Sequence, residues 1–173
     1  MADYILLLLL RILHVGAGVF WVGAFMLLAR YVIPATHAAG PAAGPFMQQL
    51  MTRTKLPAVL SGAAVVAILS GFALYGRNIM ASDGAWAGTR SGMVFGLGGI
   101  AALVALIIGL VVNRPVGMRL GALAAEIGAA GGRPTAEQTS EMQRLQARVA
   151  GASRIIVVLL MVAVTAMALG RYV

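Results

Sequence analysis

Apolar residues gather into four long runs, at about Tyr4–Ile33, Leu56–Gly76, Met93–Val112 and Ile155–Val173. Each is near or above the ~20 residues that a helix needs to cross the hydrocarbon core of a bilayer. The first run is too long for a signal peptide, carries Arg11 and His14 inside it, and ends without a small-residue cleavage pattern, so it predicts a retained helix. Pro34 and the Ala-Gly-Pro repeats from Ala39 to Pro45 predict its end and a short loop. Asp83-Gly84 predicts a turn between the second and third runs. Aligned with each other, the two halves of the chain show only weak internal likeness.

Between Asn113 and Arg154 the pattern changes. This segment holds six arginines (114, 119, 133, 144, 148 and 154) and three of the chain's five acids, yet it keeps a helical period. Met118, Leu120, Leu123 and Ile127 make one apolar stripe, stopped at Gly131-Gly132. Met142, Leu145 and Val149 make another, opened by a T-x-x-Q capping box at Thr135 and Gln138 with Glu137 placed for the helix dipole. The reading is an αα-hairpin, with the third and fourth helices extending beyond the membrane. The alternative is a pair of helices lying in the interface.

Composition fixes the setting. Hydrophobic residues make up 61% of the 173 residues and charged residues 10%, where globular domains carry about a quarter charged. The expected fold class is therefore all-α: an integral membrane four-helix bundle, one domain over residues 1–173, with a helical hairpin between helices 3 and 4. With no cysteine, disulfides and thiolate metal sites are excluded. The net charge of +8 comes from arginines flanking apolar spans, which favours lipid headgroups and topology over nucleic acid.

The cations are unevenly placed. Four spans put both termini on one side, with Arg77, Arg90 and Arg171. Arg30, Arg53, Lys55 and the six hairpin arginines lie on the other. The positive-inside rule then makes the hairpin cytoplasmic and both termini external, as expected for a bacterial-type inner membrane.

One ionisable residue stands out inside a span. His14 shares a helical stripe with Arg11, Gly18, Trp21 and Phe25. Ionisable groups in the bilayer are expensive and mark functional positions by default. A basic tip, an imidazole, a bare backbone patch and two aromatics suit a flat, apolar, iron-bearing ring with acidic side groups. The alternative is a histidine hydrogen-bonded to a neighbouring helix.

Several of these residues form a recognisable pattern. His14, Trp21 seven residues later, Gly23-Ala24, Arg30 sixteen residues after the histidine, and His37 beyond it resemble the first helix of J-type protoporphyrinogen oxidase. The likeness extends to the membrane superfamily around that enzyme, which includes the copper-resistance D domain. The run Met47 to Pro57, followed by an apolar helix ending in Ser70-Gly71, is similar to that group's second helix. The resemblance covers about the first 80 residues and implies that His14 is a haem b ligand. The oxidases also carry a lysine after a tryptophan near the start of their third helix. Here Trp86 is followed by Arg90, Ser91 and Gly92, and the only lysine is Lys55. The resemblance thus implies haem binding more directly than porphyrinogen oxidation.

The chemistry of the residues agrees in part. Neutral imidazole is the common protein ligand of haem iron, and Arg11 is placed to pair with a propionate or to snorkel to the interface. Gly16, Gly18 and Gly23 allow close approach of a ring or of another helix. The second axial ligand is open: His37 is 23 residues from His14, about 35 Å along a helix at 1.5 Å per residue. Met93, Met161 and Met167 lie within spans, where methionine usually packs. All five acids lie outside the apolar runs, so no carboxylate relay crosses the membrane. Two function classes follow: a b-type haem protein with a redox role, working with a redox partner protein or in a homo-oligomer, or a copper-handling protein. The ten methionines suit Cu(I), though only Met47 and Met51 make an i,i+4 pair. A structural subunit in which His14 only packs is the third.

Overall fold

The computed structural model describes residues 1–173, apart from the side chains of Ala2, His37, Pro41, Ala42 and Thr52. Its helices are α1 (Ala2–Leu27), α2 (Ile33–Ala39), α3 (Gly44–Thr52), α4 (Leu56–Met80), α5 (Arg90–Ile108), α6 (Arg114–Ala129) and α7 (Ala136–Leu169). Two π-helical turns, Leu28–Val32 and Gly109–Asn113, join α1 to α2 and α5 to α6, so each pair runs on as one rod. Four rods are long and apolar enough to cross a membrane: Asp3–Thr36, Leu56–Met80, Arg90–Ala129 and Ala136–Leu169. The all-α four-helix bundle with its hairpin extension is the fold the hydrophobic pattern predicts.

Pro34 does not end the first helix. Proline lacks an N–H, and its ring collides with the carbonyl four residues back. Here the preceding turn is widened by one residue, with the Ile33 amide bonded to the Leu28 carbonyl. Pro115 is accommodated in the same way: the Arg114 amide bonds the Gly109 carbonyl. The loop expected over Ala39–Pro45 is instead a 3-10 turn, Gly40–Ala43, leading into α3.

The rods pack as two antiparallel pairs. In the first pair Asp3 lies 4.0 Å from Arg77 at one end, and His14 meets Ala67 and Gly71 further in. In the second, the Ser91 hydroxyl donates to the Gly170 carbonyl, Gly98 lies against Ala166, and Asn113 Nδ2 donates to Ser153 Oγ at 3.1 Å. Both termini therefore lie at the same end. Small residues bring the backbones together, as is usual where lipid removes the hydrophobic drive between helices: Ala64, Ala67 and Ser70 on α4, Ala163 and Ala166 on α7. The pairs meet in a core of Trp21, Ala64, Ala67, Ala105, Ile156 and Leu160. At the terminal end, Trp86 contacts both Tyr75 (5.2 Å between centroids) and Phe95 (6.0 Å). The Tyr75 hydroxyl donates to the Gly92 carbonyl at 3.1 Å.

The rod Arg90–Ala129 has 40 residues, about 60 Å at 1.5 Å per residue. That is about twice the hydrocarbon thickness; α6 and the first turns of α7 pair as a hairpin at the end of the bundle away from the termini. Val116, Leu123 and Ile127 of α6 are buried along its seam. The turn back uses Gly131 and Gly132 at φ +96 and +78, where only glycine is unstrained. The Thr135/Gln138 capping box then starts α7. Arg119 clamps the hairpin with a two-pronged contact to Glu141, at 2.8 and 3.2 Å, and a third to Glu126 at 3.2 Å. The hydrogen bond and charge of Glu141, then the charge of Glu126, raise the Arg119 pKa above its ordinary value.

Candidate functional site

His14 is held on α1 about 16 Å along the axis from Asp3, at 1.5 Å per residue, and is half-buried. Its Nδ1 lies 2.8 Å from the Ala67 carbonyl oxygen of α4. A carbonyl only accepts, so Nδ1 carries the hydrogen, and in the neutral ring Nε2 then carries the lone pair. Among the described residues Nε2 has no hydrogen-bond partner. The Ala67 carbonyl also accepts from the buried Ser70 hydroxyl at 3.2 Å, and that hydroxyl donates to Val66 as well, at 2.6 Å.

The ring rests on Gly71. A Cβ at this position would stand 2.8 Å from His14 Cε1, closer than such atoms pack, and a tight 3.1 Å from Nδ1. Gly71 is therefore part of the seat. Neither Ala67 nor Gly71 was visible as a site residue in sequence: one contributes a backbone carbonyl and the other an absent side chain. The Ser70-Gly71 pair is the one trace, and it lies inside α4, which runs on to Met80, not at the helix end.

The remaining stripe residues divide. Trp21 is 7% exposed and lies in the core with Ala64 and Ala67, and Phe25 packs against the same cluster. Gly18, half-buried, has nothing among the described residues within 4 Å of where a Cβ would stand, and the same holds for the exposed Gly16 and Gly23. Arg11, one turn from His14 toward the terminal end, is exposed and has no ion pair among the described residues. Within the chain, then, the histidine and tryptophan face α4, while Arg11 and the glycines are left open.

Among the described residues no second ligand is brought to the ring. The His37 side chain lies outside the described residues. Met93 and Met161 are exposed, and Met167 packs on Gly98. Among the described residues no three of His, Cys, Asp or Glu cluster at metal-binding distance. Two shallow apolar grooves exist elsewhere. One, of about 410 Å³, lies among Val32, Thr36, Ala39 and Phe46; the other, of about 490 Å³, lies between α5 and α7 at Val94, Leu97, Met161 and Val162. Neither includes His14.

Compared with known proteins, the chain matches no family model, no curated protein and no solved structure.

Proposed function

We propose that this is a membrane-embedded b-type haem protein with a redox role, in which His14 ligates the iron through Nε2. The observation that carries the reading is the bond from Nδ1 to the Ala67 carbonyl. Metal-ligating histidines commonly donate their other ring N–H to a carbonyl or carboxylate, which fixes the tautomer and aims the lone pair. The backbone of α4 does this for His14, and Gly71 fixes the plane of the ring. The same bond ties α1 to α4, and it leaves Nε2 without a hydrogen-bond partner among the described residues.

The chain's own residues fit the group in three further respects. Gly16 and Gly18 leave open surface on the helix that carries the ligand. Arg11, one turn away, is exposed and without an ion pair among the described residues, and is suited to a propionate. Trp21 and Phe25 close the apolar floor toward the bundle core, which keeps water from that side and so influences the potential. When bound, haem supplies a one-electron iron couple; the protein sets its ligand, burial and nearby charge. The resemblance to J-type protoporphyrinogen oxidase supports the same ligand position. The bias of cations toward the hairpin end supports a cytoplasmic hairpin with both termini outside.

The test is the cofactor content of detergent-purified protein from haem- and copper-replete cells. Haem b in wild type, lost in His14→Ala, supports the reading. A colourless protein containing copper supports the copper-handling alternative, and one with neither supports a structural role for His14.

A further inference from the structure

The first and third rods carry the same punctuation at the same spacing. His14 lies twenty residues before Pro34, and Phe95 lies twenty residues before Pro115. In each rod a π-helical turn begins six residues before the proline and ends two before it, at Leu28–Val32 and at Gly109–Asn113. Proline explains why a widened turn is tolerated. It does not explain why an aromatic ring sits at the same distance upstream in both.

The two rings also have matching seats. A Cβ on Gly71 would stand 2.8 Å from His14 Cε1, and a Cβ on Gly170 would stand 3.0 Å from both Cε2 and Cζ of Phe95. Each glycine follows small residues at the same intervals: Ala64, Ala67 and Gly71 on one rod, Ala163, Ala166 and Gly170 on the other. All four alanines are buried. In the same register Val59, Leu60 and Val65 correspond to Val158, Leu159 and Val164. The partner rods are the ones each ring-bearing rod pairs with, in the same antiparallel sense.

We propose that the chain is two copies of one helix-pair unit arranged in parallel, and that Phe95 occupies a second imidazole seat, latent because its ring is apolar. The copies differ where the first is open. Arg11 corresponds to Gly92, where a Cβ would stand 2.1 Å from the Trp86 carbonyl, and the Trp86 ring stacks on Phe95 at 28°. The turn before α5 thus roofs the second seat and leaves no room for a cation beside it. A consequence, which rests on the haem reading above, is that the two seats together offer iron one ligand position and not two. The duplication itself does not rest on that reading.

The repeat escapes a fixed-offset alignment because the linkers differ. Pro34 to Gly71 spans 37 residues and Pro115 to Gly170 spans 55; the additional residues belong to the α6–α7 hairpin. Parallel repeats of this kind are a known way to build membrane bundles.

The test uses apoprotein with ¹⁵N-labelled histidine, comparing His37→Gln with His37→Gln/Phe95→His. The parent should show one imidazole with Nδ1 protonated, that of His14. The double variant should add a second in the same tautomer, its Nδ1 bonded to the Ala166 carbonyl. A new imidazole protonated on Nε2, or averaging between tautomers, overturns the proposal. Should Phe95→His fail to fold, thermal unfolding of milder variants decides. Gly170→Ala should lower the midpoint and Phe95→Ala/Gly170→Ala recover most of the loss, with the same relation between Gly71→Ala and His14→Ala. A Gly170→Ala loss that Phe95→Ala does not relieve overturns the equivalence. Absence of haem from wild type would refute the ligand reading and leave both results intact.

Discussion

The His14 imidazole and the Ala67 carbonyl are joined at 2.8 Å across the α1–α4 interface, with Gly71 supplying the surface on which the ring lies. The first consequence concerns Gly71. Gly71→Ala forces the ring or the helices apart, an overpacking cost of about 1–3 kcal/mol. Reversible unfolding in detergent should show that loss, and His14→Ala/Gly71→Ala should be more stable than Gly71→Ala alone. Equal stability of Gly71→Ala and wild type would mean that the ring does not rest there.

A second polar tie lies toward the other end of the bundle. Asn113 Nδ2 donates to the buried Ser153 hydroxyl, and Asn113 Oδ1 has no partner among the described residues. Ser153→Ala removes the remaining bond and should cost about 1–3 kcal/mol, the usual effect of stranding a buried polar group. Asn113→Leu/Ser153→Ala should recover much of it. A double variant no better than Ser153→Ala would show that the pair is not coupled.

Orientation is open to labelling because the native chain has no cysteine. Ala130 is exposed at the hairpin tip and has an ordinary φ of −85°, so Ala130→Cys adds no strain, unlike a substitution at Gly132. An impermeant thiol reagent should label it in inverted vesicles and not in intact cells. Labelling in intact cells would reverse the topology.

Arg11 and Lys55 should behave differently. Arg11 is one turn from His14, whereas Lys55 begins α4 at the opposite end, in the left-handed region at φ 53°. Removing a positive charge near a low-dielectric redox centre lowers its midpoint potential, because the oxidised state loses a repulsive neighbour. Redox titration of Arg11→Leu should show that fall, or loss of haem on purification, while Lys55→Gln stays near wild type. The reverse pattern would put the site at the hairpin end.

Much of the fold is written in local pattern. The four spans follow from run length, and the α7 start from Thr135 and Gln138, because helix periodicity and capping act within a few residues. Pro34 misleads because its effect depends on the turn before it: a widened turn lets the helix continue, and no residue type marks that turn. The partner of His14 is illegible for another reason. Ala67 contributes a main-chain oxygen and Gly71 a missing atom, so the α4 surface that receives the ring reads as generic apolar helix. The stripe was legible, but which of its members turn inward was decided by α4: Trp21 became core, while Gly18 and Arg11 stayed open.

Ligation of haem iron by His14 is tested by the dithionite-reduced minus oxidised spectrum of the purified protein, recorded for wild type and for His14→Ala at matched concentration. Wild type should show b-type Soret and α-band features, lost in the variant with the helical circular dichroism retained. An unchanged spectrum in folded His14→Ala, or a wild-type protein from haem-replete cells with no such bands, would contradict that ligation.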